Sequence, residues 1–202
     1  MALGDYKNIA QVQKEFGVKY EETNFIPAAE MEPSPIFQSE FAFTLENFDV
    51  YTSEAARTEA IIFPILRELY KSYYDHLSLW IQAPLAYNDK LKGTPDYLLA
   101  TKSPLGKTVL ETPLVAIVEA KKNDFEQGWG QCLAELVAAQ KLNQDETAVV
   151  YGIVTDGKLW EVGKLAQTTF IKNGESFTVD HLARLFGVLN FIFQAAATNH
   201  QA

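Results

Sequence analysis

The sequence has a single cysteine, Cys132, and no long hydrophobic run. One cysteine cannot form a disulfide within the chain, which fits a reducing compartment. The longest apolar stretches, such as AIIFPIL, fall far short of the roughly 20 residues that span a bilayer. The N-terminal segment MALGDYKNIAQ has neither the basic nor the apolar part of a secretory signal peptide. We therefore expect a cytoplasmic protein that does not associate with a membrane.

Positive charge is also scarce. The chain has 17 Lys and Arg against 26 Asp and Glu, a formal net charge of −9. This argues against a protein that coats nucleic acid, because phosphate binding relies on Lys and Arg. Residues 88–122 are locally basic, with six lysines and four acidic residues, and a bound divalent cation would add to that charge. The charge balance lowers the expectation of tight DNA binding without excluding it.

The length and composition suit one compact domain with an appendage. The chain has 202 residues, of which 48% are hydrophobic and 21% charged. Residues 1–50 are predicted to form a separate acidic region, with three lysines and nine acidic residues. A helix is predicted over 6–16, followed by a Pro-punctuated linker and an edge strand or arm over 37–45. Residues 51–202 are predicted to form the main domain.

The main domain shows an alternation of helical and strand-like patterns. A long helical pattern runs from Thr52 to about Tyr74 and should kink near Pro64. Three strand-like runs follow, with KSPLGKTVLET predicted as a hairpin or short β excursion between the second and third. Next come a helix capped by Asp124, a β-hairpin turning at Asp156-Gly157, and a final helix. This order predicts an α/β (α+β) fold, a central mixed sheet flanked by helices.

The run VAIVEAK carries the first candidate site. Its two faces are both apolar until the end, so the strand should be central and covered on both sides. Glu119 and Lys121 share one face and emerge together where the strand ends, a position at which α/β sheets commonly place sites. Asp96 stands at the start of the preceding strand. If the two strands pair antiparallel, Asp96 comes alongside Glu119.

These residue types suit metal-assisted phosphodiester chemistry. Two carboxylates and one carbonyl, for which Ala120 is the candidate, suffice for Mg²⁺ (or Mn²⁺), which keeps several waters. The adjacent Lys121 would orient or deprotonate a water and offset charge that develops on a phosphate. The alternative is that Asp96 is a turn residue and that Glu119 and Lys121 form a solvated strand end.

The ordered set of motifs resembles the PD-(D/E)xK (restriction-endonuclease-like) nuclease superfamily. It looks most like the N-terminal nuclease domain of the motor subunits of type I restriction enzymes. The matching segments are SEAARTEAIIFPILREL for the first helix, TPDYLLA for the metal-binding Asp, VAIVEAKK for the (D/E)xK strand, GWGQCLAEL for the next helix and YGIVTDGKLWEV for the following hairpin.

The resemblance implies a Mg²⁺-dependent restriction-endonuclease-like fold that hydrolyses DNA and leaves a 5′-phosphate. Asp96, Glu119 and the Ala120 carbonyl would bind the metal, and Lys121 would position the attacking water. Gln131 would lie near the active site. A homodimer is expected if both strands are cut, because superfamily members that do so often act as dimers.

Two glutamates compete for a place beside this site. Glu54 aligns best with the glutamate of the family's first helix. Glu59 stands among Ala55, Ile62 and Leu66, so it is predicted on the inward face, where a glutamate needs a partner or a metal. Each has the alternative of being a solvated helix charge. Lys122 is either a phosphate contact or a solvated lysine.

The sequence also departs from the family pattern. Glu135 stands where the family often has a tyrosine, four residues after the helical glutamine, and the Arg57-Thr58 order is reversed. No helicase motif is present in the sequence, so we expect a standalone nuclease and not a motor subunit. A second hypothesis is therefore a nuclease-like fold that acts as a binding or regulatory module with weak or no catalysis. A third is an enzyme that acts on small nucleotides.

Overall fold

The computed structural model describes residues 3–121 and 124–198. The helices are α1 (Ile9–Phe16), α2 (Pro35–Asn47), α3 (Glu54–Arg57), α4 (Phe63–Tyr70), α5 (Phe125–Asn143) and α6 (Leu182–Thr198). The strands are β1 (Lys19–Glu22), β2 (Leu77–Ile81), β3 (Leu85–Ala86), β4 (Lys92–Gly93), β5 (Tyr97–Thr101), β6 (Leu114–Ala120), β7 (Val150–Thr155), β8 (Leu159–Ala166), β9 (Thr169–Lys172) and β10 (Phe177–Thr178).

The main sheet is mixed and has the order β1-β9-β8-β7-β6-β5-β2, with β10 also paired to β8. Strand β6 pairs antiparallel with β5 and parallel with β7. The parallel pair requires a crossover connection, which helix α5 supplies. Strands β3 and β4 form a separate two-stranded sheet. The predicted central mixed sheet flanked by helices is confirmed.

A hydrophobic core covers each face of this sheet. One core includes Ile61, Val118 and Phe193, and the other includes Ile117 and Leu133. All seven residues of β6 are buried. The prediction that β6 is a central strand covered on both sides is therefore confirmed. Within residues 3–121 and 124–198, no helix is long and apolar enough to cross a membrane.

The long helical pattern after Thr52 is interrupted by a π-helical stretch, Thr58–Ile62, between α3 and α4. Phe63 N donates to Thr58 O, five residues back, and Pro64 follows with no N–H to donate. The kink predicted near Pro64 thus takes the form of a wider turn. The extra residue in that turn rotates Glu59 into solvent, so its predicted place on the inward face is wrong.

Residues 37–45, predicted as a strand or arm, lie in helix α2, so that prediction is wrong. Ser34 caps the helix, with Oγ accepting from Phe37 N at 3.2 Å, and Pro35 opens its first turn. Phe37 and Phe41 are four residues apart and stack with ring centroids 5.3 Å apart in the core. The helical spacing of these two buried rings outweighed the alternation of the neighbouring residues.

The predicted N-terminal region packs into the rest of the chain. Strand β1 adds to the sheet edge by pairing parallel with β9. Val12 belongs to the core beneath α5, and Phe37 and Phe41 belong to the core on the other face. The predicted boundary at residue 50 therefore does not divide the hydrophobic packing.

The connections that frame the site follow their local turn chemistry. Strands β7 and β8 form the predicted hairpin, with Gly157 at φ +88°. Asp124 Oδ1 accepts from Gln127 N at 2.9 Å and caps α5 as predicted. Residues 102–113 form turns and contain no strand, so the predicted β excursion is wrong. Two prolines and Gly106, with φ +107°, favour turns in that segment.

Candidate active site at the ends of strands β5 and β6

Asp96 and Glu119 meet where β5 begins and β6 ends. Because these strands are antiparallel and pair Tyr97 with Val118, Asp96 lies beside the end of β6, as predicted. Asp96 Oδ2 accepts a hydrogen bond from Ala120 N at 2.8 Å. Asp96 O accepts another from Gln82 N at 2.9 Å. These two contacts fix both the backbone and the carboxylate of Asp96.

Lys121 follows β6 directly and reaches back to Glu119. Its Nζ lies 3.4 Å from Glu119 Oε2, an ion pair without hydrogen-bond alignment. Its backbone N donates to Thr155 O at 2.8 Å, which ties the end of β6 to β7. A Cβ on Gly128 of α5 would stand 3.1 Å from Lys121 Cγ. The glycine therefore lets α5 pass close beside the lysine.

The Glu119 carboxylate is buried, with 1% of the residue exposed, and neither oxygen has a hydrogen-bond partner among the described residues. Burial raises its pKa to about 7, and the charge of Asp96 acts in the same direction. The Glu135 side chain and the charge of Lys121 act against that rise. A buried carboxylate without a hydrogen-bond donor is a group that a cation stabilises.

The pKa values of Asp96 and Lys121, the two charged residues beside Glu119, are also shifted. Burial raises the pKa of Asp96, although Ala120 N–H and Lys121 act against it. Burial alone would lower the pKa of Lys121, but the charges of Glu119 and Asp96 outweigh it and raise the value. Lys121 is therefore held as a cation beside the two carboxyl groups.

Glu135 is a site residue that the sequence analysis noted only as a departure from the family pattern. It lies on α5, is 0% exposed, and neither of its carboxyl oxygens has a partner among the described residues. Burial raises its pKa well above the ordinary value, and the charge of Glu119 adds to the rise. An acidic residue in the apolar run CLAELVAA is the sequence signal that could have pointed to it.

The remaining predicted site residues differ in whether they act on the residues of the candidate site. Gln131 is half-buried one turn before Glu135, and its side chain acts to lower the pKa of Glu135 against the larger effect of burial. Glu54 is exposed at the start of α3, and its charge raises the pKa of both Asp96 and Lys121. Glu59 is exposed and raises the pKa of Tyr97 instead. Gln131 and Glu54 thus act on residues of the candidate site, whereas Glu59 acts on Tyr97. Lys122 lies outside the described residues.

Arg57 links helix α3 to the β7–β8 turn. Its Nη1 donates to Asp156 O at 3.0 Å and lies 3.5 Å from Asp156 Oδ2, while Nη2 donates to Tyr51 O at 3.1 Å. Its guanidinium also lies 5.3 Å from the centre of the Tyr51 ring. This contact orients the segment that carries Glu54. No local pattern predicts this contact, because it joins residues 99 positions apart.

The donor set fits a hard divalent cation. Mg²⁺ and Mn²⁺ prefer oxygen ligands and retain waters, so the carboxylates of Asp96 and Glu119 with the Ala120 carbonyl form a sufficient set. In residues 3–121 and 124–198, no three His, Cys, Asp or Glu side chains are arranged to hold a metal ion. The candidate set accordingly consists of two side chains and one backbone oxygen. The unpaired oxygens of buried Glu119 are the feature that a cation would satisfy.

Comparison with known proteins adds no assignment. No protein-family model matches the chain, and no curated protein matches it. The chemistry of the site therefore rests on its residues and their geometry.

Proposed function

We propose that this protein is a Mg²⁺-dependent endonuclease that hydrolyses phosphodiester bonds of DNA. The observation that carries the proposal is the buried Glu119 carboxylate, which has no hydrogen-bond donor among the described residues and lies between Asp96 and Lys121. Acidic groups outnumber the described lysine here, since the charges of Glu119, Asp96 and Glu54 all act on Lys121. A divalent cation would balance that excess of negative charge.

Each residue then has a part in the reaction. Asp96, Glu119 and the Ala120 carbonyl would hold Mg²⁺ or Mn²⁺, which lowers the pKa of bound water and polarises the phosphate. Lys121 would orient the attacking water and offset the charge that develops on the phosphate oxygens. Water adds to phosphorus, the P–O3′ bond breaks, and a proton from the water ends on the departing 3′ oxygen. By the resemblance, the other product carries a 5′-phosphate.

Glu54 and Gln131 would support this arrangement from outside the metal ligands. Glu54 stands at the solvent side, where its charge acts on Asp96 and Lys121. Gln131 acts through Glu135 on the buried side. Glu59 is given no part in this proposal, because it is exposed and its charge acts on Tyr97.

The net negative charge of the chain opposes the proposed binding of DNA. Two lysines of the basic segment are already in ion pairs, Lys90 with Glu15 at 2.9 Å and Lys92 with Asp89 at 3.0 Å. We therefore propose weak DNA binding that strengthens when a divalent cation is present. A homodimer would bring two such sites to the two strands of a duplex.

A binding module is the second candidate function, and helix α2 favours it. Ile36 and Phe43 lie two turns apart on this helix and are 71% and 60% exposed, and Phe48 just after it is 61% exposed. Exposed large apolar side chains that lie close together are typical of interaction surfaces. As a binding module, the protein would bind another protein through α2, and the candidate site would not catalyse a reaction.

Cleavage assays distinguish the two candidates. Supercoiled plasmid, single-stranded DNA and a small aryl phosphodiester would each be incubated with Mg²⁺, with Mn²⁺ and with EDTA. The proposal predicts metal-dependent cleavage of DNA by the wild type and none by D96A. A Phe43→Ser and Phe48→Ser variant should cleave as well as the wild type. Absence of wild-type cleavage on all three substrates would favour the binding module, and cleavage of the small diester alone would favour the enzyme of small nucleotides.

A further inference from the structure

The turn between β7 and β8 lies at the same end of the sheet as the candidate active site. Strands β6 and β7 are parallel, and Ala120 at the end of β6 pairs with Thr155 at the end of β7. Asp96 lies beside the same end of β6, because β5 and β6 are antiparallel. Neighbouring strands lie about 4.8 Å apart, so Thr155, which leads into the turn, is one strand spacing from Ala120.

Lys158 is the one exposed residue between positions 148 and 166, all of which the structure describes. Its side chain forms no ion pair with any residue of 3–121 or 124–198. Asp156, the nearest acidic residue along the chain, pairs with Arg57 instead. The turn therefore presents one positive charge to solvent that no carboxylate of the described chain pairs with.

Hydrogen bonds fix the backbone that carries this lysine. Asp156 Oδ1 accepts from Lys158 N at 2.9 Å and from Leu159 N at 2.8 Å. Lys158 O accepts from Val179 N at 3.2 Å, and Asp156 O accepts from Arg57 Nη1 at 3.0 Å. A side chain on a fixed backbone loses less freedom on binding than one on a mobile loop, because only its own rotamers become ordered.

DNA binding by this chain requires cations that its own carboxylates do not neutralise, because the net charge is −9. Lys90 and Lys92 are in ion pairs with Glu15 and Asp89. Lys121 lies beside Glu119 in the candidate metal site. Lys158 meets the requirement, and it lies at the end of the sheet where the proposed reaction takes place.

We infer that Lys158 is a DNA-binding residue of the proposed nuclease, which contacts a backbone phosphate next to the one that is cleaved. This inference rests on the proposed function. A lysine ammonium is a point charge, so the contact would position the DNA strand without reading its base sequence. The strand would then lie across the ends of β5, β6 and β7. Lys158 would take no part in breaking the P–O3′ bond.

The salt dependence of DNA affinity tests this contact. Binding of a fluorescently labelled duplex would be measured at several salt concentrations in EDTA, where no cleavage is expected. Loss of one phosphate contact reduces the slope of log K against log salt by about 0.9. We expect Lys158→Ala to show this reduction and to bind about five- to tenfold more weakly at about 0.1 M salt. Lys158→Arg keeps the charge and should match the wild type.

Lys19→Ala is the matched control. Lys19 is exposed at the start of β1 and pairs with Thr169, which lies at the opposite end of the sheet from the candidate site. It should leave the slope unchanged. The same slope in K158A and the wild type, or an equal reduction in K158A and K19A, would overturn the inference.

Cleavage kinetics with Mn²⁺ separate binding from chemistry. We expect K158A to raise KM by about five- to tenfold and to leave kcat unchanged. A lower kcat with an unchanged KM would overturn the inference. Absence of DNA binding by the wild type would overturn both the inference and the proposed function. If K158A reduces the slope while the wild type cleaves no DNA with either metal, the proposed function fails and Lys158 remains a DNA contact of a binding protein.

Discussion

Asp96 Oδ2 accepts a hydrogen bond from Ala120 N at 2.8 Å, and this bond joins the beginning of β5 to the end of β6. Through it, Asp96, which directly precedes β5, is held beside Glu119 near the end of β6 and Lys121 directly after it. The arrangement leaves the Ala120 carbonyl and the two carboxylates at one end of the central pair of strands. The predictions below follow from this geometry.

Replacing Lys121 should abolish cleavage and spare metal binding. Lys121→Ala removes the cation that would stabilise the developing phosphate charge, so we expect the cleavage rate to fall by about 100-fold or more. Mn²⁺ affinity should be unchanged or higher, because a positive charge beside Glu119 is lost. Lys107→Ala is the matched control, since Lys107 is exposed in the same basic segment. Retained cleavage in K121A would remove the lysine from the reaction.

Neutralising Glu119 should stabilise the metal-free protein. The pKa of Glu119 is raised from 4.5 to about 7, so its ionisation disfavours the folded state. Metal-free stability of the wild type should therefore fall as the pH rises through that interval. At pH 8 in EDTA, Glu119→Gln should raise the free energy of unfolding by on the order of 1 kcal/mol. It should also lose the stabilisation by Mn²⁺. Urea unfolding at pH 5 and pH 8 measures both effects, and a variant less stable than the wild type at pH 8 would contradict the account.

The contact between Arg57 and the β7–β8 turn, called the Arg57 clamp below, should stabilise the folded state. Arg57 is 8% exposed and paired with the half-buried Asp156, so Arg57→Ala removes the cation beside that carboxylate and the donor to two backbone carbonyl oxygens. We expect a loss of about 3 kcal/mol in the free energy of unfolding. Arg67→Ala, at an exposed position on α4, should change it by no more than about 0.5 kcal/mol. Similar effects of the two substitutions in a denaturant titration would show that the clamp contributes little.

Adding one methyl group to α5 should disturb Lys121. A Cβ on Gly128 would stand 2.7 Å from Val154 Cγ1 and 3.1 Å from Lys121 Cγ, so Gly128→Ala forces the helix or the lysine to move. We expect a loss of about 1–3 kcal/mol in stability and a lower cleavage rate. Gly4→Ala is the control, because a Cβ at Gly4 meets no atom within 4 Å. If G128A matched G4A in both measurements, the close approach of α5 would not constrain the lysine.

Much of this architecture was predictable because it follows from local patterns. The apolar run of β6 ending in Glu119 and Lys121, the Asp124 cap and the Asp156-Gly157 turn each depend on neighbours in the sequence, and the structure has them. The predicted proximity of Asp96 and Glu119 depends on antiparallel pairing of β5 and β6, and the structure has this pairing.

The parts that escaped prediction depend on tertiary contacts. Glu59 was misplaced because the π-helical turn before Pro64 changes the helical phase, which periodicity alone does not show. The charge of Glu119 on a strand acts on Glu135 on a helix, and the Arg57 clamp joins a helix to a distant turn. A strand was predicted within helix α2 because its aromatic residues also alternate with other residues over a short stretch.

The most direct test of the central claim is the effect of Mn²⁺ on thermal unfolding of the wild type, D96A and D89A. Asp89 is a fully exposed acidic residue in the same part of the chain, which makes D89A the matched control. A cation that binds only the folded state stabilises it by about 2.7 kcal/mol at 100 times its Kd. The account predicts that Mn²⁺ raises the Tm of the wild type and of D89A and leaves that of D96A unchanged. An equal rise in all three proteins, or no rise in any of them, would contradict a metal site at Asp96 and Glu119.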